Sequence, residues 1–188
     1  MKNADSFVPD WLQKRATLSP DKVTLIDAVT QEEVTYSRWN NRANQTAYFL
    51  QDLGLRKGDR VAVLSYNSIE YMNIWFSCNK TGAILQNLNW RLTVSELRGI
   101  IEDGDPKMII YSSDFSNEVK ALQKELPHIA TWIAISDAVC ENDIPLARRD
   151  NYPATRFPTV DLDHDDPWVI CYTGGTTGLP KGAVLTYR

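Results

Sequence analysis

Apolar positions follow two alternating spacings along much of the chain, and this alternation predicts strands and helices in turn. Short apolar, β-branched runs predict parallel strands, at 60–65, 83–88, 107–111 and 131–135. Apolar residues that recur three to four positions apart predict the intervening helices, at 67–81, 93–103 and 114–126. We therefore expect an α/β fold, with a mostly parallel sheet and helices on both of its faces.

The first part of the chain has a different order of elements. A short helix is predicted over 8–18. Two runs rich in Val, Thr, Ile and Tyr, at 22–27 and 33–36, flank a short polar turn and predict a small β-hairpin. A long amphipathic helix over 37–53 follows.

Capping residues mark the predicted helix ends. Ser37 and Asn67 are the predicted N-caps of the helices that begin there. Thr93 and Glu96 have the spacing of a capping box, in which each side chain binds the backbone of the other residue. Gly82 ends the helix that begins at Asn67, because glycine tolerates the left-handed conformation that closes many helices.

The periodic pattern disappears over 136–167, where the sequence becomes polar, acidic and proline-containing. We therefore divide the chain into an α/β subdomain (1–135), a connector (136–167) and the start of a further, truncated subdomain (168–188). The apolar run 168–172 predicts a strand with an unpaired edge that is open to self-association. We therefore expect a homodimer or a larger assembly.

Composition excludes several classes of protein. The chain has 188 residues and a net charge of −4, and it has no long basic run, which argues against nucleic-acid binding. Three well-separated cysteines argue against a disulfide framework and against a zinc site. No run approaches the about 18 apolar residues of a membrane-spanning helix, and the first residues do not resemble a secretory signal. We therefore expect a cytoplasmic protein without a transmembrane segment.

The main chemical signal follows the run 168–172. Residues 172–182 read YTGGTTGLPKG, which combines four glycines, three threonines and a lysine. Glycines let backbone N–H groups approach an anion closely, and the hydroxyls and the ammonium add donors and charge. This composition is typical of phosphate binding, with an exposed glycine-rich turn as the alternative. It is not a Walker A motif, because Leu179 and Pro180 separate the lysine from the preceding glycine.

The string YTGGTTGLPKGAVLTY closely resembles the signature YTSGTTGxPKG of the adenylate-forming enzymes. These include acyl-CoA synthetases, luciferases and the adenylation domains of peptide synthetases. The resemblance continues upstream in the same order, through PDWLQKRATLSPDKVTLI and CNKTGAILQNLNWRLTVSEL. It implies an AMP-forming ligase that uses ATP with magnesium. A carboxylic acid is activated as an acyl-adenylate, and the acyl group is then transferred to a thiol, commonly that of coenzyme A.

The resemblance also implies which residues hold the β- and γ-phosphates of ATP. They are Thr173, Thr176 and Thr177 through their hydroxyls, Gly174, Gly175 and Gly178 through backbone N–H groups, and Lys181 through its charge. Gly174 stands where the family usually has serine. Glycine at this position resembles the fatty acyl-CoA synthetases of the family, and this resemblance favours fatty or other acyl acids as substrates. Tyr187 stands where a histidine often follows the Leu-Thr pair.

In the family, the groups that bind adenine, ribose, magnesium and the acyl substrate follow this segment, as does the domain with the catalytic lysine. No catalytic residue and no metal ligand is therefore assigned, and we expect the 188-residue chain to be inactive by itself. Two interpretations stay open. The chain is the N-terminal part of an acyl-CoA synthetase, or it is a non-catalytic module that binds ATP or pyrophosphate or pairs with another chain.

Three other features favour structural roles. The acidic run 161–166 resembles a calcium loop but lacks its glycine and its closing glutamate, which favours a solvated connector. His128 is expected at the surface, in a turn. Trp11, Trp39 and Trp75 lie on predicted helix faces, where core packing is favoured over ligand stacking.

Overall fold

The computed structural model describes residues 10–136, 140, 142–173 and 180–188. Its helices and strands, in chain order, are α1 (Trp11–Leu18), β1 (Val23–Ile26), β2 (Glu33–Thr35), α2 (Tyr36–Asp52), β3 (Arg60–Leu64), α3 (Ile69–Thr81), β4 (Ile84–Asn87), α4 (Val94–Gly104), β5 (Met108–Tyr111), α5 (Ser116–Glu125), β6 (Thr131–Ala134), β7 (Ile144–Pro145), β8 (Pro167–Thr173) and β9 (Lys181–Thr186). Short 3₁₀ turns cover Ser113–Phe115 and Leu146–Asn151.

The main sheet has seven strands in the order β7-β6-β5-β3-β4-β8-β9. All neighbouring pairs in it are parallel except β8 with β9, which is antiparallel. From β3 the chain continues to β4 on one side and then crosses to β5 on the other side. Such a reversal opens a crevice at the carboxyl ends of the strands, where α/β proteins bind ligands. The predicted α/β fold class is confirmed.

Side chains of β3 alternate between two cores, one on each face of the sheet. Ala62 and Leu64 pack with residues of α4 and α5. Val61 and Val63 pack with residues of α2 and α3. Because successive side chains of a strand point to opposite faces, a continuous apolar run is what a strand covered on both faces requires.

The predicted hairpin is confirmed, because β1 and β2 pair in antiparallel register with Val23 opposite Thr35. The predicted N-caps of α2 and α3 are wrong by one or two residues. Thr35 rather than Ser37 caps α2, and Ser68 rather than Asn67 caps α3. In each case another residue with a side-chain acceptor lies one or two positions before or after the expected one, and the strand or turn before the helix decides which of them is extended.

Other helix ends agree with the sequence. Thr93 and Glu96 form the predicted capping box at α4, with the Glu96 carboxylate 2.8 Å from the backbone nitrogen of Thr93. Gly82 ends α3 with a left-handed φ of 70°. Leu162 and Val160 also lie against its Cα, where a Cβ would come within 3.0 and 3.2 Å of their side chains. This position therefore requires glycine for both conformation and space.

The connector contains more structure than its sequence pattern predicted. β7 joins the edge of the main sheet beside β6, and the 3₁₀ turn Leu146–Asn151 follows it at once. Leu146, Phe157 and Leu162 are buried. These segments are too short to show a period, which is why the sequence pattern gave no sign of them.

The expected unpaired edge at 168–172 was also wrong. β8 pairs with β4 on one side and with β9 on the other, so β9 is the edge strand. All six residues of β9 are exposed, including Val184 at 55% and Leu185 at 51%. The short sequence KGAVLT has no clear strand pattern. It forms a strand because the chain returns antiparallel along β8 and pairs with it.

The predicted core packing is confirmed for Trp39 and for the partly buried Trp75, whereas Trp11 lies at the surface. Trp39 is buried in α2. Trp11 and Trp75 meet the ring of Trp168 edge-on, although Trp11 remains 40% exposed. Tyr187 is buried and stacks on Trp168 with ring centres 5.2 Å apart, at the end of β9 opposite to Lys181. His128 is exposed, as predicted.

Within the ranges that the structure describes, no helix has both the length and the apolar character needed to cross a membrane.

Candidate functional site

The candidate site lies where β8 ends and β9 begins, at the carboxyl edge of the parallel strands. Thr173 and Lys181 are the flanking residues, and they stand opposite each other in the antiparallel register. The Thr173 hydroxyl donates to the Lys181 carbonyl oxygen over 3.5 Å. The structure thus brings together two of the predicted phosphate-binding residues.

The other predicted phosphate-binding residues lie outside the described part of the chain. They are Gly174, Gly175, Thr176, Thr177 and Gly178. Their assignment stays a prediction.

Thr173 and Lys181 are both exposed, so their side-chain groups are accessible to a ligand. Among the ion pairs of the described residues, none engages the Lys181 ammonium. A hydroxyl donor and a cation at the ends of neighbouring strands are chemically suited to a phosphate group. In the same part of the chain, no cluster of His, Cys, Asp and Glu could hold a metal ion.

Tyr172 and Gly182 form the next pair of the ladder. The Tyr172 hydroxyl donates to the Asp103 carboxylate of α4 over 2.5 Å. Burial and this hydrogen bond raise the pKa of the Tyr172 phenol, so the group remains a neutral donor at physiological pH. The strand that enters the glycine-rich segment is therefore tied to a helix.

An aromatic cluster at the same edge of the sheet was not assigned from the sequence. The ring of Tyr66 follows β3 and lies 4.8 Å from that of Trp90, which follows β4, and 4.9 Å from that of Phe115. The Arg91 guanidinium carbon lies 4.0 Å from the centre of the Trp90 ring. Tyr66 and Trp90 are 43% and 36% exposed. Polar and aromatic residues directly after buried strands were the sequence signal for this cluster.

Cys78 shows no sign of catalytic activation. All three cysteines are free thiols, and Cys78 is buried within α3. Burial raises the pKa of the Cys78 thiol to about 12, so it is protonated at neutral pH. Packing is the role that this environment supports.

Comparison with known proteins decides the family. The family model described as AMP-binding enzyme matches residues 12–188. The chain belongs to this family. The resemblance of its glycine-rich segment to the adenylate-forming signature is thereby confirmed.

Curated members of the AMP-binding enzyme family match nearly the whole chain. The long-chain-fatty-acid–CoA ligase FadD13 of Mycobacterium tuberculosis (strain ATCC 25618 / H37Rv) is 36% identical over 180 residues, which cover 94% of this chain and 34% of the relative. The 2-succinylbenzoate–CoA ligase of Oceanobacillus iheyensis is 34% identical over 179 residues, which cover 95% of this chain and 34% of the relative. The chain thus spans about a third of the length of these relatives.

Solved structures of related proteins have the same fold. The inhibitor-bound N-terminal domain of FACL13 from Mycobacterium tuberculosis superposes with a TM-score of 0.84 at 35% identity, covering 95% of this chain and 44% of that chain. The anthranilate–CoA ligase AuaEII in complex with anthranoyl-AMP superposes with a TM-score of 0.91 at 26% identity, covering 100% of this chain and 36% of that chain.

Proposed function

We propose that this chain carries the pyrophosphate-binding part of an ATP-dependent acid–thiol ligase. The whole ligase would activate a fatty or other acyl acid as its acyl-adenylate and transfer the acyl group to coenzyme A. The names of the CoA-ligase relatives support this reaction class. The structural observation that carries the proposal is the pairing of Thr173 with Lys181 across the ends of the glycine-rich segment.

The two flanking residues would act on the phosphates by electrostatics. In this reaction the departing pyrophosphate of ATP gains negative charge as the acid is activated. Lys181 would offset that charge, and the Thr173 hydroxyl would turn from its long 3.5 Å contact with the Lys181 carbonyl to donate a hydrogen bond to the phosphate. Because the strand ladder fixes both backbones before the ligand binds, little reorganisation is needed. The predicted donors at 174–178 would complete the set, and magnesium and coenzyme A belong to the proposal for the whole ligase.

Binding of pyrophosphate tests the proposed site. We expect the chain to bind pyrophosphate weakly, with a Kd of about 1 mM, which corresponds to roughly −4 kcal/mol. Lys181→Ala should weaken binding several-fold, as measured by ³¹P NMR titration. Lys124→Ala, which removes an exposed lysine from the last turn of α5, is the matched control. Equal affinity of the wild type and Lys181→Ala would contradict the proposal.

Activity distinguishes the ligase part from a complete enzyme. We expect the isolated chain to show no pyrophosphate exchange into ATP with a panel of carboxylic acids, and no thioester formation with coenzyme A. Turnover in either assay would show that these 188 residues suffice for catalysis, contrary to our expectation.

A second candidate function is pairing with another copy of the chain, and the exposed edge of β9 favours it. Antiparallel pairing centred between Ala183 and Val184 would place Lys181 opposite Thr186, so the lysines of the two copies would not meet. Leu185→Lys should shift a dimer to a monomer in sedimentation equilibrium, because a charge on an edge strand opposes further pairing. Val29→Lys, at a position that is 90% exposed in the hairpin turn, is the control. A wild-type monomer at high concentration would exclude this candidate.

A further inference from the structure

We propose that Tyr172 is a positioning residue for Thr173 and Lys181, the two residues that flank the glycine-rich segment. It anchors β8 to α4 and packs on Gly182 at the start of β9. This inference rests on the proposed function, because the groups that Tyr172 would position are the predicted phosphate-binding residues Thr173 and Lys181. Tyr172 itself would act through these neighbours rather than on the ligand.

We call the two contacts of Tyr172, one with Gly182 and one with Asp103, the clamp. The first contact is between the Tyr172 ring and Gly182. A Cβ at Gly182 would lie 3.1 Å from the ring carbon Cζ and 3.1 Å from Ile170 Cγ2. The ring therefore occupies the space that a side chain at this position would need. Tyr172 and Gly182 are also register partners, and their pair is next to that of Thr173 and Lys181 in the ladder. The ring therefore packs across the two strands directly beside the predicted phosphate-binding residues.

The second contact is the hydrogen bond from the Tyr172 hydroxyl to Asp103 on α4. Tyr172 also packs against the apolar core that α4 forms with the sheet. This hydrogen bond from a neutral phenol to a carboxylate contributes modestly to stability, and it also fixes where the ring lies. The carboxylate therefore decides the position of the ring over Gly182.

The end of α4 is a firm anchor. The buried Gln86 side chain of β4 donates to the Ile100 carbonyl oxygen over 2.8 Å. The Arg60 side chain of β3 donates from Nε to the Gly104 carbonyl oxygen over 2.9 Å. The Gly104 carbonyl is one of those that the last turn of a helix leaves without an intrahelical partner, and Arg60 supplies that partner. The two bonds tie α4 to two strands of the sheet, so Asp103 is held relative to β8.

Because side chains alternate between the two faces of a strand, the clamp and the proposed phosphate site lie on opposite faces of the ladder. Tyr172 and Gly182 share one face of the β8–β9 ladder, and Thr173 and Lys181 share the other. Tyr172 can therefore set the spacing of Thr173 and Lys181 without occupying the space in which they would meet a phosphate.

Amide hydrogen exchange tests the clamp without a ligand. Tyr172→Phe and Asp103→Ala should each speed exchange at 172–173 and 181–183 about fivefold, which is the loss expected for one hydrogen bond. Asp103→Asn keeps an acceptor oxygen and should restore most of the protection. Tyr152→Phe is the matched control, because it removes a similar exposed hydrogen bond, from Tyr152 to Asp52 over 2.6 Å, on another part of the surface. Unchanged exchange in Tyr172→Phe would overturn the proposal.

Pyrophosphate titration of the same variants tests the link to binding. We expect Tyr172→Phe and Asp103→Ala to weaken binding at least threefold, and Asp103→Asn and Tyr152→Phe to bind as the wild type does. Wild-type binding with no loss in Tyr172→Phe would overturn the positioning role alone. A wild type that does not bind would overturn the proposed function, and the role of the clamp in binding with it, while hydrogen exchange would still decide whether Tyr172 anchors the strand ends.

Discussion

Arg149 of the connector forms a bidentate ion pair with Glu70 in the first turn of α3. Arg149 Nη2 lies 2.7 Å from Glu70 Oε1, and Nη1 contacts Oε2. Asn73 and Arg42 also donate to this carboxylate, each over 3.2 Å. The Arg149 side chain is only 6% exposed. The pair therefore docks the connector on the helical layer formed by α2 and α3.

Removing Glu70 should strongly destabilise the fold. Glu70→Ala leaves the buried Arg149 charge with only the more distant, exposed Asp150 carboxylate, 3.7 Å from its Nε, and the expected loss in the free energy of unfolding is about 3 kcal/mol. Urea denaturation measures it. Glu102→Ala is the control, because Glu102 pairs with Arg98 over 3.8 Å at the exposed surface of α4 and should cost about 0–1 kcal/mol. Similar losses in the two variants would contradict the importance of the buried pair.

The same pair predicts how stability depends on pH. Burial by itself would raise the pKa of Glu70, but the hydrogen bond and the charge of Arg149 outweigh burial and lower it below 4.5. A lowered carboxyl pKa contributes stability above the unfolded value, and this contribution is lost as pH falls through the folded value. The wild type should therefore lose more stability than Glu70→Gln as the pH falls below 4.5.

Urea midpoints measured at a series of pH values check this difference. The pKa values of Asp27 and Glu96 are also lowered, mainly by backbone hydrogen bonds from Thr30 and Thr93. Both groups remain in Glu70→Gln, so their contributions cancel in the comparison. Parallel pH profiles of the two proteins would show that Glu70 does not contribute.

Gly104 should not tolerate alanine. A Cβ there would lie 2.2 Å from Gln86 Nε2, whose buried amide already binds the Ile100 carbonyl. Moving Gln86 would break that bond, so Gly104→Ala should lower the free energy of unfolding by about 1–3 kcal/mol. Gly99→Ala in the same helix meets nothing within 4 Å and should be stabilising by up to about 1 kcal/mol. Urea denaturation of the pair checks the opposite signs.

The buried ammonium of Lys80 should make Asp10 essential for stability. Lys80 Nζ donates to Asp10 over 2.7 Å and to Asn40 over 2.8 Å, and its side chain is 1% exposed. Asp10→Ala removes this counter-ion and also the N-cap of α1, and should cost about 3–5 kcal/mol. Adding Lys80→Met should recover part of that loss, because no buried charge remains. Chemical denaturation of the two single variants and the double variant measures the coupling, and additive losses would refute it.

Local signals in the sequence were sufficient for most elements of the fold. The capping box of Thr93 and Glu96 and the left-handed Gly82 depend on residues close to them in the chain. They were therefore predictable, as were the strands that are buried on both faces. The N-caps Thr35 and Ser68 were missed by one or two residues, because neighbouring residues had the same chemical ability to cap.

The sequence by itself determined the α/β class and, through the string at 172–182, the family of the candidate site. Only the tertiary structure decided which distant residues meet. Glu70 with Arg149, Lys80 with Asp10, and Tyr172 with Asp103 each join segments far apart in the chain. It also decided that β9 returns along β8 and sets Lys181 opposite Thr173. The physical reason is that hydrophobic period and capping report local geometry, whereas strand order and buried ion pairs depend on how the layers pack together.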